Sequence, residues 1–562
     1  MIDFDIPAFY TQSPYAYVRR KTREVNIGGI SLGGSYPIRI QSMTNVPTLD
    51  TQACVAQIER LVHAGSDYVR LSTPSMADAK HLSVIKTQLK ERKLDIPLIA
   101  DVHFNAKVAE EAARRVEKVR INPGNYIDKK TDTWQYTEKE YTQAIEQMAE
   151  KLESLLKICK QYGTVVRIGT NHGSLSQRIL SRYGNTPLGM AISAMEFVAI
   201  CHEFGFHDIV LSMKASNTKI MIQSVRLLAA MLDEKKWNYP LHIGLTEAGD
   251  GAYGRIKSAA GMLPLLADGI GDTIRVSLTE NPENEIPFAK LLSRIKHTSS
   301  PSSDTNNPPI RYNPYVYTKR ETSSIDHRYR NAPFIVSDYI NIASEDIPLE
   351  ASRDFVVIND NDVTNIKTQD VLVFEIHENT ELLAWRKSLC RLIEKGMKNP
   401  IVWKFIYKDA SWTSFYAKAA GDVSTVAIDG FVDGICLINP HFSAEKIYQL
   451  SLQILQACGL RFSQAEYIAC PSCGRTQYAI QDVLAQIKAK TSHLHNLKIG
   501  IMGCIVNGPG EMADADYGFV GSAKGSICLY KGQQLIKRNV DQNEAIDALI
   551  TLIKEHGDWI DP

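Results

Sequence analysis

The chain has 562 residues, which predicts two to four domains, and its 63 Lys plus Arg balance 63 Asp plus Glu. This neutral balance argues against a protein that coats nucleic acid, because such proteins are usually basic overall. No run approaches the roughly 18 uninterrupted apolar residues of a membrane-spanning helix. The acidic start predicts no secretory signal or transit peptide, and ten cysteines are too few for a disulfide scaffold, so we predict a cytoplasmic protein.

Eight short runs rich in β-branched residues recur along the first half of the chain, and stretches of helical periodicity lie between most of them. The runs cover 37–44, 67–74, 97–104, 118–125, 165–172, 208–216, 240–249 and 272–279. Strands that alternate with helices pair in parallel, and eight such units predict a TIM-type (β/α)8 barrel. A doubly wound open sheet is the alternative, but the chain lacks both a GxGxxG after the first run and a P-loop motif.

Polar and charged side chains stand at the ends of the predicted strands, where barrel enzymes carry out their chemistry. They are Arg70, Asp101, His103, Arg120, Asn122, Arg167, Asn171, His172, Lys214, Asn217, Glu247 and Arg275. Five cations at one mouth would repel one another unless an anion offset them, and Arg and Lys suit phosphate oxygens, so we predict a phosphate or diphosphate site. Asp101, His103 and Glu247 are either salt-bridge partners or acid–base groups, and the Asn171–His172 pair is also compatible with plain turn chemistry.

A cysteine pattern near the C-terminus indicates a metal or redox site. Cys470 and Cys473 form a CxxC, which zinc sites and thiol redox motifs share, and Cys504 follows without an obvious fourth zinc ligand. Three thiolates suit an iron–sulfur cluster, and Glu511 is either the ligand of the remaining iron or a solvated carboxylate. Cys528 lies in an apolar run and is predicted to be a core residue. Two alternative functions remain open for the chain. One is another iron–sulfur barrel enzyme, such as a dehydratase, and the other is a non-catalytic phosphate-binding protein stabilised by a structural zinc site.

Seven motifs together resemble the 4-hydroxy-3-methylbut-2-enyl diphosphate synthase family, the iron–sulfur reductases of the non-mevalonate isoprenoid pathway. The motifs are IQSMTNVPT (40–48), IADVHFN (99–105), RINPGN (120–125), RIGTNHGSLS (167–176), LTEAG (245–249), ACPSCGRT (469–476) and MGCIVNGPGE (502–511). They are highly specific in combination and cover both ends of the chain. The resemblance implies a TIM-type substrate barrel and a C-terminal α+β domain that holds a [4Fe–4S] cluster.

The resemblance also implies roles for individual residues. The cluster ligands would be Cys470, Cys473, Cys504 and Glu511. Catalysis would use Glu511, which gives way to the substrate oxygen, and Glu247 as proton donor. The substrate-binding residues would be Arg70, Arg120, Arg167, Asn171, Lys214, Arg275 and Asn507. The implied substrate is 2-C-methyl-D-erythritol 2,4-cyclodiphosphate, with flavodoxin or ferredoxin as the electron donor.

A central insert separates the predicted barrel from the C-terminal domain, whereas short members of the family have none. Five further strand-like runs predict an α/β insert, and 238–249 resembles 399–410 while 268–278 resembles 429–439, which predicts a degenerate second copy of the barrel. We expect this copy to be a catalytically empty spacer, which would let one chain close on itself or set the distance within a homodimer. The alternative is a docking site for the electron donor. The predicted domains are the barrel at 1–296, a linker at 297–314, the insert at 315–455 and the cluster domain at 456–562.

Overall fold

A computed structural model gives the fold, and it describes residues 6–126, 135–295, 307–323, 332–358, 366–377, 382–506 and 508–561. An eight-stranded sheet, a six-stranded sheet and a five-stranded sheet follow one another along the chain. No helix within these described ranges is long and apolar enough to cross a membrane.

Eight parallel strands form the N-terminal barrel, and a two-stranded hairpin precedes them. The hairpin is β1 (Val25–Ile27) and β2 (Ile30–Leu32), and the barrel strands are β3 (Arg39–Met43), β4 (Tyr68–Ser72), β5 (Leu98–Asp101), β6 (Lys118–Ile121), β7 (Val165–Asn171), β8 (Ile209–Lys214), β9 (His242–Ile243) and β10 (Thr273–Ile274). They pair in the order β8-β7-β6-β5-β4-β3-β10-β9, and a bridge between Leu211 and Leu241 links the two end strands. The TIM-type barrel is confirmed, and each of the eight predicted runs contains one barrel strand.

Helices surround the barrel and connect its strands. They are α1 (Thr51–Ala64), α2 (Met76–Glu91), α3 (Ala106–Ala113), α4 (Pro123–Tyr126), α5 (Glu138–Tyr162), α6 (Gln177–Tyr183), α7 (Pro187–Glu203), α8 (Thr218–Glu234), α9 (Gly251–Ala267) and α10 (Glu285–Arg294). Several begin directly after a strand at a side-chain cap: Asn105 accepts from the Lys107 N–H, and Asn217 accepts from the Lys219 N–H. These caps keep the loops at the carboxyl ends of the strands short and fix their position.

The hairpin closes the amino end of the barrel. Val25, Ile27 and Leu32 pack in one apolar cluster with Tyr68 and Val165 from the barrel strands. Burial of this apolar surface removes it from water and seals that end. The carboxyl end of the barrel therefore remains as the mouth where polar side chains collect.

Six parallel strands form the central sheet. They are β11 (Phe334–Ser337), β12 (Ile347–Pro348), β13 (Val356–Ile358), β14 (Leu372–His377), β15 (Ile401–Ile406) and β16 (Gly434–Ile438), with helices α11 (Leu382–Glu394), α12 (Trp412–Ala427) and α13 (Ala444–Ala457). The α/β character and the five predicted strands are confirmed. The sequence analysis missed β12, because two residues are too few to give an alternating pattern. The predicted domain boundary at 455–456 falls inside α13.

The central sheet follows the strand order of the barrel. Its order β12-β11-β16-β15-β14-β13 corresponds to β4-β3-β10-β9-β8-β7, with no counterpart of β5 or β6 among the described residues. Local contacts repeat as well: Asp272 accepts from the Leu241 N–H at 2.8 Å, and Asp433 accepts from the Ile401 N–H at 3.0 Å. The order and these contacts support the degenerate second copy that the sequence repeat predicts.

The C-terminal domain contains a mixed five-stranded sheet with three helices. Its strands are β17 (Glu466–Ala469), β18 (Lys498–Met502), β19 (Tyr517–Ala523), β20 (Ser526–Lys531) and β21 (Gln534–Asp541), and its helices are α14 (Ile480–Thr491), α15 (Gly508–Glu511) and α16 (Ala545–Glu555). The first two strand pairs are parallel and the last two are antiparallel, so the α+β prediction is confirmed. Cys528 is buried on β20, as predicted for a core residue.

Four charged side chains are completely buried where the barrel meets the central sheet. Arg226 lies 2.8 Å from Asp268 and 2.6 Å from Asp429. Arg386 lies 3.0 Å from the same two carboxylates, and all four side chains have 0% exposure. The barrel contributes Arg226 and Asp268 and the central region contributes Arg386 and Asp429, so each arginine bridges one aspartate from each part.

This buried group yields a prediction about stability. Arg226→Met would leave two buried aspartates with one arginine, and we expect it to lower the free energy of unfolding by about 3–5 kcal/mol. The control is Arg311→Met, because the Arg311–Glu394 pair is about 40% exposed and should contribute less than about 1 kcal/mol. Urea denaturation followed by circular dichroism measures both variants. Equal, small effects would show that the buried group does not hold the two copies together.

Candidate functional site

A cavity lies between the barrel mouth and the C-terminal domain. The loops after β17 and β18 bring Cys470, Cys473, Cys504 and Glu511 to it from the C-terminal domain. Nine of the twelve predicted mouth residues line the same cavity: Arg70, Asp101, His103, Arg120, Arg167, Asn171, Lys214, Glu247 and Arg275. The structure therefore joins the predicted anion site and the predicted metal site into one, called here the interdomain cavity.

Three predicted mouth residues have structural roles outside the lining of this cavity. Asn217 caps α8, and Asn122 donates a hydrogen bond to Ser174 at 3.1 Å. The His172 ring lies 3.2 Å from the Asn185 carbonyl oxygen, in agreement with the turn interpretation. Asn507 lies outside the described residues.

The barrel mouth holds more positive than negative charge. Arg70 and Arg120 share Asp101, and Arg275 pairs with Glu285 at 3.2 Å, outside the lining. The salt-bridge interpretation therefore holds for only part of this cationic group, since within the described ranges Arg167 and Lys214 have no carboxylate at ion-pair distance.

Arg167 and Lys214 provide the unbalanced charge. Arg167 donates from Nη1 to Ser212 at 2.8 Å, whereas its buried Nε and Nη2 have no hydrogen-bond partner among the described residues. Burial lowers the pKa of both side chains well below their ordinary values, and the neighbouring cations lower it further. A bound anion would supply the missing acceptors and neutralise this charge, as a phosphate group does.

His103 is a neutral member of the cavity. Its Nε2 lies 3.4 Å from Asp101 and 3.0 Å from Arg120 Nη1. Burial lowers the pKa of His103 to about 3. The negative charge of Asp101 raises this pKa, but by less than burial lowers it. At neutral pH the imidazole therefore contributes hydrogen bonding and no charge.

Two carboxyl groups face each other across the domain boundary. Asn171 donates from Nδ2 to Glu511 at 3.1 Å, and Glu247 is hydrogen-bonded to Glu511. Burial raises the pKa of Glu247 well above its ordinary value, and the Glu511 charge raises it further. Burial also raises the pKa of Glu511, against the opposing charges of Arg475 and Arg120. Of the two carboxyl groups, Glu247 has the environment that more strongly favours the protonated form.

The three cavity cysteines differ from the other cysteines of the chain. Cys470, Cys473 and Cys504 are half-buried, and the remaining seven are buried. The Gly503 N–H donates to Cys470 Sγ at 3.4 Å, a contact that orients a thiolate. Burial raises the pKa of the Cys504 thiol, and Arg475 is the main opposing charge.

The donor set of the cavity suits an iron–sulfur cluster. In a [4Fe–4S] cluster each iron takes its own protein ligand, and thiolates are the usual ligands. Three thiols and one carboxyl around one cavity therefore fit the cluster.

Main-chain contacts hold the C-terminal domain against the barrel. Ala248 and Ala469 form a parallel bridge, and Thr279 donates to the Cys470 carbonyl oxygen at 3.2 Å. Gly173 has a φ of 78°, and a Cβ placed on it would lie 1.9 Å from the Gly510 carbonyl oxygen. The NHG and NGPG motifs therefore meet at a contact that only glycine permits.

Arg475 is a cavity residue that the sequence analysis missed. It follows Cys473 by two residues, and its Nη2 lies 3.5 Å from His103 Nε2. Its position two residues after the CxxC motif is the signal that could have identified it, because a cation close to two thiolates is attracted to them.

The glycine contact yields a prediction about domain closure. Gly173→Ala should separate the two loops and speed hydrogen exchange in both of them, since the added methyl group would overlap the Gly510 carbonyl. Gly163→Ala is the matched control, because Gly163 has a similar φ of 68° with no atom within 4 Å of an added Cβ. Exchange that is equally slow in both variants would contradict the close approach.

Comparison with known proteins identifies the family. Residues 22–290 match the model of the GcpE TIM-barrel domain, and residues 466–555 match that of the GcpE protein C-terminal domain. A protein of Parabacteroides distasonis named 4-hydroxy-3-methylbut-2-en-1-yl diphosphate synthase (flavodoxin) is 42% identical over 97% of this chain and 99% of its own. The Porphyromonas gingivalis protein of the same name is 43% identical over 97% of this chain and 99% of its own. The chain belongs to the 4-hydroxy-3-methylbut-2-en-1-yl diphosphate synthase family, which confirms the resemblance seen in its motifs.

Proposed function

We propose that the chain reduces 2-C-methyl-D-erythritol 2,4-cyclodiphosphate to 4-hydroxy-3-methylbut-2-enyl diphosphate in non-mevalonate isoprenoid biosynthesis. The reaction takes up two electrons and two protons, opens the ring and releases water. The observation that carries this proposal is the interdomain cavity, in which a cationic barrel mouth faces three thiols and a carboxyl group. Anaerobic turnover of the cyclodiphosphate with a chemical reductant tests it directly, and absence of product would contradict it.

The barrel side of the cavity binds and orients the substrate. Arg167 offers two buried donors without partners, and Lys214 adds a charge that no described carboxylate pairs with at ion-pair distance. Arg70, Arg120 and Arg275 complete the cationic surface. Together these groups hold the diphosphate so that the ring oxygen faces the C-terminal domain.

The C-terminal side supplies the ligands of the redox group. Cys470, Cys473, Cys504 and Glu511 would hold a [4Fe–4S] cluster, which supplies single electrons to the substrate when bound. Asn171 orients the Glu511 carboxylate through a hydrogen bond at 3.1 Å. Glu247 holds a proton beside the same carboxylate and can deliver it to a departing oxygen.

The electron donor and the cellular setting are part of the proposal. The names of the curated relatives specify flavodoxin, which supports flavodoxin over ferredoxin for this chain. We place the enzyme in the cytoplasm, without a nucleic-acid or membrane partner. The C-terminal domain lies against the barrel of its own chain, so one chain suffices for a complete site, and a homodimer would be an additional level of assembly.

The cluster ligands give one testable prediction. Cys470→Ser, Cys473→Ser and Cys504→Ser should each lose most of about four iron atoms per chain, since one thiolate is removed. Glu511→Ala should retain part of the iron and lose turnover, because three thiolates remain. Cys528→Ser is the control with full iron, and iron analysis with visible absorption measures the set. Full iron in Cys504→Ser would refute the ligand assignment.

The cationic mouth gives another prediction. Lys214→Ala or Arg120→Ala should raise the dissociation constant of the cyclodiphosphate by about ten- to hundred-fold, because a charge-assisted contact contributes about 1.5–3 kcal/mol. The iron content should not change. Lys107→Ala is the control, since Lys107 is 72% exposed and pairs with Glu110 outside the cavity. Calorimetric titration measures all three, and unchanged binding in both cavity variants would contradict the assignment.

Proton transfer by Glu247 gives a prediction about rate. Glu247→Gln should lower kcat more than it changes KM if this carboxyl delivers a proton. A proton donor is active only in its protonated form, so activity should fall as pH rises through the pKa of Glu247, which burial raises above its ordinary value. This limb of the pH profile should be absent from the variant. Unchanged turnover in Glu247→Gln would contradict proton transfer and would support the alternative that Glu247 is only a salt-bridge partner.

A further inference from the structure

Arg475 occupies a position in the cavity that substrate binding by the barrel does not explain. Among the described lining residues, it is the one cation that comes from the C-terminal domain. It shares a loop with Cys470 and Cys473, so it accompanies these thiolates whatever the arrangement of the barrel.

The guanidinium of Arg475 is held within the cavity by few contacts. Its Nη2 lies 3.5 Å from His103 Nε2, and its Nε and Nη1 are buried without a hydrogen-bond partner among the described residues. It lines the same cavity as the four proposed cluster ligands, Cys470, Cys473, Cys504 and Glu511, so its charge lies beside the position of the redox group.

A fixed cation next to a redox centre favours the state with more negative charge. When reduced flavodoxin or a chemical reductant passes one electron to the cluster, the reductant is oxidised by one electron and the cluster gains one negative charge. Burial strengthens the attraction between that charge and a guanidinium, which stays protonated at any accessible pH.

We propose that Arg475 is a positioning residue that stabilises the reduced cluster and thereby sets its reduction potential. This inference rests on the cluster ligation proposed above. Arg475 differs from the barrel cations because it belongs to the loop that carries Cys470 and Cys473, whereas Arg70, Arg120 and Arg275 are held by Asp101 or Glu285 within the barrel.

A redox titration of the substrate-free holoenzyme, monitored by electron paramagnetic resonance, tests the proposal. In Arg475→Gln we expect at least a tenfold lower ratio of reduced to oxidised cluster at a fixed potential, which is a shift of about 59 mV to lower potential for one electron. Arg475→Lys keeps the charge and should titrate close to the unchanged protein. All variants should contain the same amount of iron.

Lys488→Gln is the matched control. Lys488 belongs to the same domain and pairs with Asp250 of the barrel, but it does not line the cavity, so its loss should leave the potential unchanged. An unchanged potential in Arg475→Gln at full iron content would overturn the proposal, as would equal shifts in Arg475→Gln and Arg475→Lys. Unchanged potential with weaker binding of the cyclodiphosphate would make Arg475 a substrate ligand instead. Iron-free protein without substitutions would refute the cluster ligation itself.

Discussion

Buried positive charge at the barrel mouth is the constraint on which the rest of this structure depends. Cations such as Arg167 and Lys214 are costly to bury, and Asp101 and Glu285 offset only part of the total. The remaining charge requires an anion from outside the barrel. The C-terminal domain brings Glu511 and the thiols to one side of these cations, and a bound diphosphate would provide the remaining negative charge. Substrate binding and domain closure are therefore both favoured by the excess positive charge of the barrel mouth.

The central sheet holds the C-terminal domain against the cationic mouth of the barrel. It is fixed to the barrel by the buried charges of Arg226 and Asp429, among others, and α13 carries the chain from it toward β17. Two further contacts hold the junction: Lys219 donates to the Gly459 carbonyl at 2.9 Å, and Lys257 lies 2.6 Å from Glu466. The central region has Cys436 at the position aligned with Arg275, as expected if it is a second copy of the barrel that serves as a spacer and does not bind phosphate.

The barrel and most of the site could be predicted from the sequence because both are encoded locally. Each barrel strand is an apolar run that ends in a polar residue, and parallel pairing brings those ends together at one mouth. The CxxC and NGPGE motifs likewise predict a metal or redox site from residues close together in the sequence. Partners distant in sequence could not be predicted in this way: the contact of Gly173 with Gly510 and the burial of Arg386 against Asp268 exist only after the domains pack. Arg475 was missed because the sequence does not show that the loops after β17 and β18 meet around one cavity with it.

The central claim is that the barrel and the C-terminal domain of one chain form one complete site. Co-expression of the Glu247→Gln and Cys504→Ser variants tests it, because each has one defective half and one intact half. If each C-terminal domain serves its own barrel, the mixture should show no more cyclodiphosphate turnover than the two variants measured separately. Recovery of a substantial fraction of normal activity would show that copies exchange domains, and would contradict the account.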